Sequence, residues 1–248
     1  MMGERRLSVV LPVYRNRACL PELHRRLSDA LRPLSSDYEL VFVDDAGGDG
    51  SAEWLRECRQ RDPRVVLVEM PRNGGQHRAV LAGLARSTGA AVVVMDADLQ
   101  DPPEAIGRLV EALDRAGGVV FARRTSRHQS RGRHLTGRLF KRLLRRLSGS
   151  RVPAGTGMFF VAARPVVDAA LASAADVRYV PLLLDATGAA MSAVDVVKSH
   201  RLDSPSAYTT RRRLQLAAGA IRQALAMRRA RKPATTAKDL HAREGQGR

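Results

Sequence analysis

The 248-residue chain carries 42 Lys and Arg against 25 Asp and Glu, a formal charge of +17, and is 44% hydrophobic. That composition describes a chain long enough to bury a full core and excludes disorder anywhere but a polar tail. Cys19 and Cys58 stand alone without metal-ligand spacing, and no secretory signal or apolar run of about 18 residues occurs, so a reducing, cytoplasmic location without a transmembrane helix is expected.

Residues 7–14 (LSVVLPVY) are predicted as a buried strand, and Leu20, Leu23, Leu27 and Leu31 give residues 19–32 helical spacing. YELVFVDD (38–45) reads as a second strand, followed by a Gly-rich turn and a helix near 51–61. RVVLVEM (64–70) is a third strand, after which Gly74 and Gly75 lead into a helix reaching about residue 86. AAVVVMDAD (90–98) is a fourth strand and residues 104–116 the next helix. Strands rich in Val and Leu, alternating with helices, predict an α/β fold whose mostly parallel central sheet is covered on both faces. After GGVVFARR (117–124) the alternation ends. Residues 132–148 have a basic amphipathic pattern, 158–167 read as a strand entering a helix, 193–202 as a last strand, and 209–231 as another basic helix. A disordered tail is expected from Pro233 onward.

The positive charge is unevenly distributed. Residues 121–151 hold eleven Lys and Arg and no acid, and residues 211–232 hold eight more, again with no acid. Such stretches suit nucleic acid, a phospholipid surface or phosphorylated substrates, or else form an ordinary solvated face of an Arg-rich protein. Against that background, Asp96, Asp98, Asp101 and Glu104 crowd nine residues just after three valines. Like charges so close repel unless a cation lies among them.

Ligands of parallel sheets bind beyond the carboxyl ends of the strands. Here those ends carry Tyr14-Arg15-Asn16, Asp44-Asp45, Arg72-Asn73-Gly74-Gly75 and Asp96-Ala97-Asp98. No glycine follows the first strand to make a dinucleotide fingerprint, and a phosphate-loop lysine motif is missing. A divalent cation is then the remaining way to neutralise a diphosphate. Alternate residues of an extended segment share a face, so Asp96, Asp98 and Gln100 are expected to converge on Mg²⁺ or Mn²⁺, hard ions that take oxygen donors. The competing reading makes Asp98 or Asp101 a turn or helix cap before Pro102-Pro103.

LPVYRN, VDDAGGDGS, RNGGQHRAVLAGL and above all MDADLQDPPE resemble the family-2 inverting glycosyltransferases of GT-A fold. Within that family they are most similar to dolichol-phosphate mannosyltransferases and bacterial polyprenyl-phosphate glycosyltransferases. The resemblance covers about residues 6–210 and implies one Rossmann-like GT-A domain (1–210), followed by a basic amphipathic helix (211–232) and a tail (233–248). It implies that Pro12, Tyr14, Asn16, Asp44 and Asp45 surround the base and ribose of a UDP- or GDP-sugar, with Gln76 and His77 lining the same pocket. Asp96, Asp98 and Gln100 would hold the metal on its diphosphate. Arg124, Arg127, Arg133 and Thr136 match an acceptor-phosphate region, and Arg201, Ser206 and Tyr208 a segment that closes over the diphosphate. Asp96, Asp98, Arg124 and Arg201 are thus the expected catalytic groups. The residues by themselves leave Asp44 as a possible helix cap and His77 as a surface helical position.

The implied activity is sugar transfer to a polyprenyl phosphate, whose oxygen is already ionised and needs no general base. Related acceptor loops read Thr-Gly-Asp-Phe-Arg; here Thr156-Gly157-Met158-Phe159-Phe160 replaces the acid and the arginine. That change predicts an apolar acceptor surface. Together with the lack of membrane helices, it also keeps open a soluble acceptor such as a natural-product intermediate. Residues 211–232 would either lie on an anionic membrane, giving peripheral attachment at its inner face, or pack on the domain. A nucleic-acid partner is not expected: aromatic residues make up only 4% of the chain and no DNA-binding signature occurs.

Overall fold

The structure, a computed structural model, describes residues 5–125, 149–173 and 179–197. The segments expected as helices at 132–148 and 209–231, the last strand beyond residue 197 and the tail lie outside the described residues. Among the described residues seven strands form one sheet: β1 (Leu7–Val13), β2 (Tyr38–Asp44), β3 (Val65–Glu69), β4 (Ala91–Val94), β5 (Val119–Thr125), β6 (Thr156–Ala163) and β7 (Met191–Val197). Their order is β3-β2-β1-β4-β6-β5-β7. All pairings are parallel except those of β6, which opposes both β4 and β5. The sheet is therefore mostly parallel, as the alternation of elements predicts, with one reversed strand inserted where that alternation ends.

Six helices cover the sheet: α1 (Leu20–Leu31), α2 (Ser51–Arg61), α3 (Gln76–Arg86), α4 (Ile106–Ala116), α5 (Arg164–Ala172) and α6 (Val180–Ala186) among the described residues. Strand side chains alternate between two cores. Leu7, Val9, Leu11 and Val13 of β1 meet Leu20, Leu23 and Leu27 of α1 and Ile106 and Leu109 of α4 on one face. Val10 of β1, with Val41 and Val43 of β2, meets Ala79, Val80 and Leu84 of α3 on the other. Each such leucine or valine contributes about 1.5–3 kcal/mol on leaving water. Gly83 lets α3 lie close to the sheet, because a Cβ there would come within 2.3 Å of Val10 Cγ1.

Two expectations are corrected. The fourth strand ends at Val94, not at Asp98, and Leu99 turns with φ +60. Met158 and Phe160 do not form an apolar acceptor surface: they are 8% and 0% exposed, and the Phe160 ring lies 5.5 Å from that of Phe121. The reason is tertiary. β6 is an interior strand, paired on both sides and covered on both faces, so its alternate side chains enter one core or the other. Leu182, Leu183 and Leu184 are likewise buried.

Candidate active site

The chain steps from β1 to β2 to β3 in one direction, then crosses back to place β4 on the other side of β1. Loops leaving β1 and β4 diverge at such a switch point and open a crevice beyond the carboxyl ends. Pro12 lies inside β1 without disturbing the ladder. Val10 accepts from Met95 N at 3.2 Å and Val13 from Asp45 N at 2.9 Å, so alternation turns Pro12 toward the β4 side, past the last paired residue of β4. Its missing N–H therefore costs no ladder bond.

Tyr14 and Asn16 follow at the β1 end, where Asn16 Oδ1 accepts from Tyr14 N at 3.1 Å. Between them Arg15 adopts φ +57, donates from Nε to Gly47 O at 3.4 Å and lays its guanidinium 5.3 Å from the Tyr14 ring centre. At the end of β2, Asp44 is 7% exposed and its Oδ1 has no hydrogen-bond partner among the described residues. Burial raises its pKa, and the amides of Gly47 and Ala46 only partly offset the effect. A buried carboxylate oxygen left without a protein donor is costly, and at a strand end it suits the N–H or O–H of a ligand.

Asp45 does something different. Its carboxylate accepts from Gly74 N at 2.6 Å, Gly75 N at 2.9 Å and Asn73 Nδ2 at 3.0 Å. It ties the loop after β3 to the end of β2. Gly75, at φ +87, then starts α3, its carbonyl accepting from Arg78 N and Ala79 N. The first helical residue, Gln76, donates from Nε2 to Asp96 Oδ1. The next, His77, packs edge-to-face on Tyr179 with centroids 5.1 Å apart, and its Nδ1 accepts from Val180 N at 3.4 Å. Burial lowers the His77 pKa to about 4. The ring is neutral at physiological pH, with its proton on Nε2.

The acidic run after β4 divides into two halves. Asp96 and Asp98 are half-buried at the crevice, while Asp101 is 1% exposed. Glu104 forms a two-pronged pair with Arg26 of α1, Nε–Oε1 at 2.8 Å and Nη2–Oε2 at 2.7 Å. Strand alternation is not what places Asp96, Asp98 and Gln100, because the ladder ends at Val94 and the segment turns at Leu99 instead of extending. Asp98 Oδ1 caps the amide of Gln100 at 3.1 Å, and the Gln100 residue is buried. Among the described residues no cluster of three or more acidic, His or Cys groups forms a closed metal cage. A hard ion that keeps waters and takes phosphate oxygens needs only one or two protein carboxylates, and Asp96 and Asp98 fit that demand.

Arg124 lies on β5, its backbone in register with Val196. Arg127, Arg133, Thr136, Arg201, Ser206 and Tyr208 lie outside the described residues. Three groups escaped the sequence reading. Asp49 accepts from Arg17 N at 3.0 Å and Ser51 N at 3.2 Å, joining the loops after β1 and β2; the spacing of an Asp two residues before a helix start was a visible cue. Asn73, a polar strand end in the sequence, is the partner of Asp45, a pairing that no local pattern announces. Asp185, 0% exposed, pairs with Arg151 at 3.1 Å, and nothing in the local pattern joins those two positions.

The open α/β sheet, with Asp44, Asp96 and Asp98 at its switch point, has the fold of GT-A glycosyltransferases of known structure. Residues 8–170 match the family described as Glycosyl transferase family 2, and the chain belongs to that family. It is similar to the undecaprenyl-phosphate 4-deoxy-4-formamido-L-arabinose transferase of Pseudomonas paraeruginosa, at 38% identity over 211 residues, 85% of this chain and 62% of that protein. The chain thus spans under two thirds of that relative's length. Among solved structures, glucosyl-3-phosphoglycerate synthase from Mycobacterium tuberculosis, in complex with Mn²⁺, UDP and phosphoglyceric acid, shares the fold. Its TM-score is 0.61 at 22% identity, covering 89% of this chain and 79% of that one. A mannosyltransferase from Pyrobaculum calidifontis in complex with GDP-Man and Mn²⁺ gives 0.59 at 19% identity, covering 97% and 79%.

Proposed function

We propose that the chain transfers a sugar, with inversion, from a UDP- or GDP-sugar to a polyprenyl phosphate, using Mg²⁺ or Mn²⁺. The observation that carries the reading is the 38% identity, over 211 residues, to a relative whose name specifies undecaprenyl phosphate. The crevice supports the donor half. Asp44 Oδ1, buried and without a partner among the described residues, would accept from the base or ribose, flanked by Pro12, Tyr14 and Asn16. Asp45 contributes by fixing the Asn73–Gly75 loop, and Gln76 by orienting Asp96. Asp96 and Asp98 would hold the divalent ion, with Gln100 buttressing the turn. When bound, the ion supplies positive charge to the departing diphosphate.

Arg124, Arg127, Arg133 and Thr136 would receive the acceptor phosphate, since guanidinium pairs with phosphate oxygens in two-pronged fashion. An acceptor phosphate oxygen forms the new bond to the anomeric carbon. The bond from that carbon to the donor phosphate oxygen breaks, and its electron pair leaves on the nucleoside diphosphate. No proton moves, so no general base is required. Arg201, Ser206 and Tyr208 would close over the leaving group. A lipid acceptor puts the protein at a membrane surface, for which residues 211–232 carry eight basic groups and no acid. Among the described residues no helix is long and apolar enough to cross a membrane.

The test is transfer from UDP- and GDP-sugars to undecaprenyl phosphate in detergent, run beside a soluble hydroxyl acceptor. Product on the lipid alone is expected; turnover of the soluble acceptor with none of the lipid overturns the acceptor assignment. A thermal-shift series with UDP, GDP and Mn²⁺ covers the metal. Nucleotide stabilisation that requires Mn²⁺ in the wild type is expected to disappear in Asp98→Ala, and its persistence there contradicts the metal assignment.

A further inference from the structure

α6 lacks a cap of its own. Its N-terminal flank is Tyr179, which contributes no side-chain cap, and the helix is entered through Pro181, which has no N–H. Leu182 N and Leu183 N both bond to Tyr179 O, at 3.2 and 3.3 Å. The amide of Val180 is the donor of the first turn left over, and it is met by His77 Nδ1 from a different helix, 103 residues earlier in the chain. A buried helix end needs such a partner, because an amide shut away from water without an acceptor has lost the hydrogen bond it makes in the unfolded chain. The Tyr179 ring against His77 holds the imidazole in the required orientation.

The other end of α6 is also held by a remote residue. Arg151 donates from its backbone N to Asp185 Oδ2 at 3.3 Å and from Nε to Oδ1 at 3.1 Å. Its guanidinium continues to Asp185 O at 3.2 Å and Gly188 O at 3.1 Å. Arg151 opens the stretch that enters β6, where Thr156 Oγ1 donates to Pro153 O at 2.8 Å. It also ends the acid-free basic stretch to which the acceptor phosphate is assigned. α6 is thus a short strut. One end rests on the first turn of α3, beside the glutamine that touches Asp96; the other is tied to Arg151, where the chain approaches β6.

We propose that His77 is a positioning residue: through α6 and the Asp185–Arg151 pair it sets Arg151, at the end of the basic stretch and the approach to β6, relative to the donor carboxylates, and it is not part of the nucleotide pocket. This rests on the glycosyl-transfer reading above. Small displacements of an acceptor cost much in rate because reaction needs a near-attack geometry. The neutral imidazole suits the task, offering one acceptor nitrogen on a rigid ring.

The variants separate the alternatives by geometry. Asn in place of His77 keeps an acceptor close to where Nδ1 stood, Gln puts one nearer the Nε2 position, and Ala has none. His77→Ala and His77→Gln should lower kcat/KM for undecaprenyl phosphate about tenfold while the Kd of the nucleotide stays within about twofold, and His77→Asn should restore most of the activity. Asp185→Asn, acting at the other end of α6, should show the same acceptor-side loss with nucleotide affinity kept. Nucleotide affinity falling in step with turnover in the His77 variants, or Ala, Gln and Asn behaving alike, refutes the proposal. Amide hydrogen exchange at residues 180–186 makes the test independent of substrate. Faster exchange in His77→Ala and His77→Gln, but not in His77→Asn, supports the strut even if the wild type shows no lipid transfer and the functional reading fails. Unchanged exchange in all three variants overturns it. Should His77→Ala not fold, the Asn and Gln pair decides.

Discussion

Replacing Asp44 by Asn separates ligand recognition from folding at a single position. The residue is 7% exposed, and its Oδ1 receives no hydrogen bond from the described residues. Burial raises its pKa above the ordinary 3.8, so the folded state holds the proton more tightly than the unfolded chain. Stability attributable to this group is therefore lost as pH rises above that value, and at neutral pH the buried charge opposes folding. The amide is nearly the same size, keeps one oxygen for the Ala46 and Gly47 amides and removes the charge. Asp44→Asn should consequently leave the melting temperature unchanged or raise it. A hydrogen bond from a ligand to a carboxylate is worth about 1.5–3 kcal/mol, so nucleotide affinity should fall about ten- to hundredfold. Calorimetric titration of UDP and GDP with Mn²⁺, alongside chemical denaturation at pH 7, reads both quantities. A variant that binds nucleotide as the wild type does, or one that is clearly destabilised, refutes the assignment of Asp44 Oδ1 to the donor.

The neighbouring Asp45→Asn should behave in the opposite way. An NH₂ group must face either the Gly74 amide or the Gly75 amide and Asn73 Nδ2, and the loss of stability should be about 3 kcal/mol by urea denaturation. Phe160→Arg, which restores the residue type of related acceptor loops, should yield misfolded or insoluble protein, because the position is 0% exposed between β4 and β5; a folded, more active variant would show that it faces the acceptor. Asp62 predicts the acid limb of stability. Burial pushes its pKa up, but hydrogen bonds from the Arg64 side chain and backbone and from His24 outweigh it and bring the value to about 2. Its contribution, roughly 2 kcal/mol, is complete above pH 4 and disappears as pH falls toward 2. In Asp62→Asn, denaturation midpoints should lose that part of the dependence between pH 4 and 2.

Much of the fold was legible because its periodicities are local. The valine runs of β1, β2 and β4 and the leucines of α1 at 20, 23, 27 and 31 declare which faces are buried without reference to one another. The polar strand ends were legible for the same reason: in a parallel α/β unit every strand finishes at one edge, so Asp44, Asp45 and Asp96 had to meet there. The sequence misled where neighbours in space decide. Asp98 and Gln100 were expected on an extended face, yet the ladder stops at Val94 and the chain turns at Leu99. Met158 and Phe160 looked like a lipid-facing change until β6 proved to be enclosed by two strands.

Composition, spacing and motif by themselves thus determined the α/β architecture, the edge of the sheet that carries the site and the family resemblance, because each is written in residues close together along the chain. Only the tertiary structure decided how the carboxylates divide their work. Asp44 keeps a buried oxygen without a partner among the described residues, while Asp45 is filled by loop amides 28 to 30 residues away. Glu104 is drawn to Arg26, and His77 reaches across 103 residues to the amide that begins α6. The physical reason is that a side chain's role follows from which donors and acceptors are left unmet around it, and those are set by contacts between segments remote in sequence.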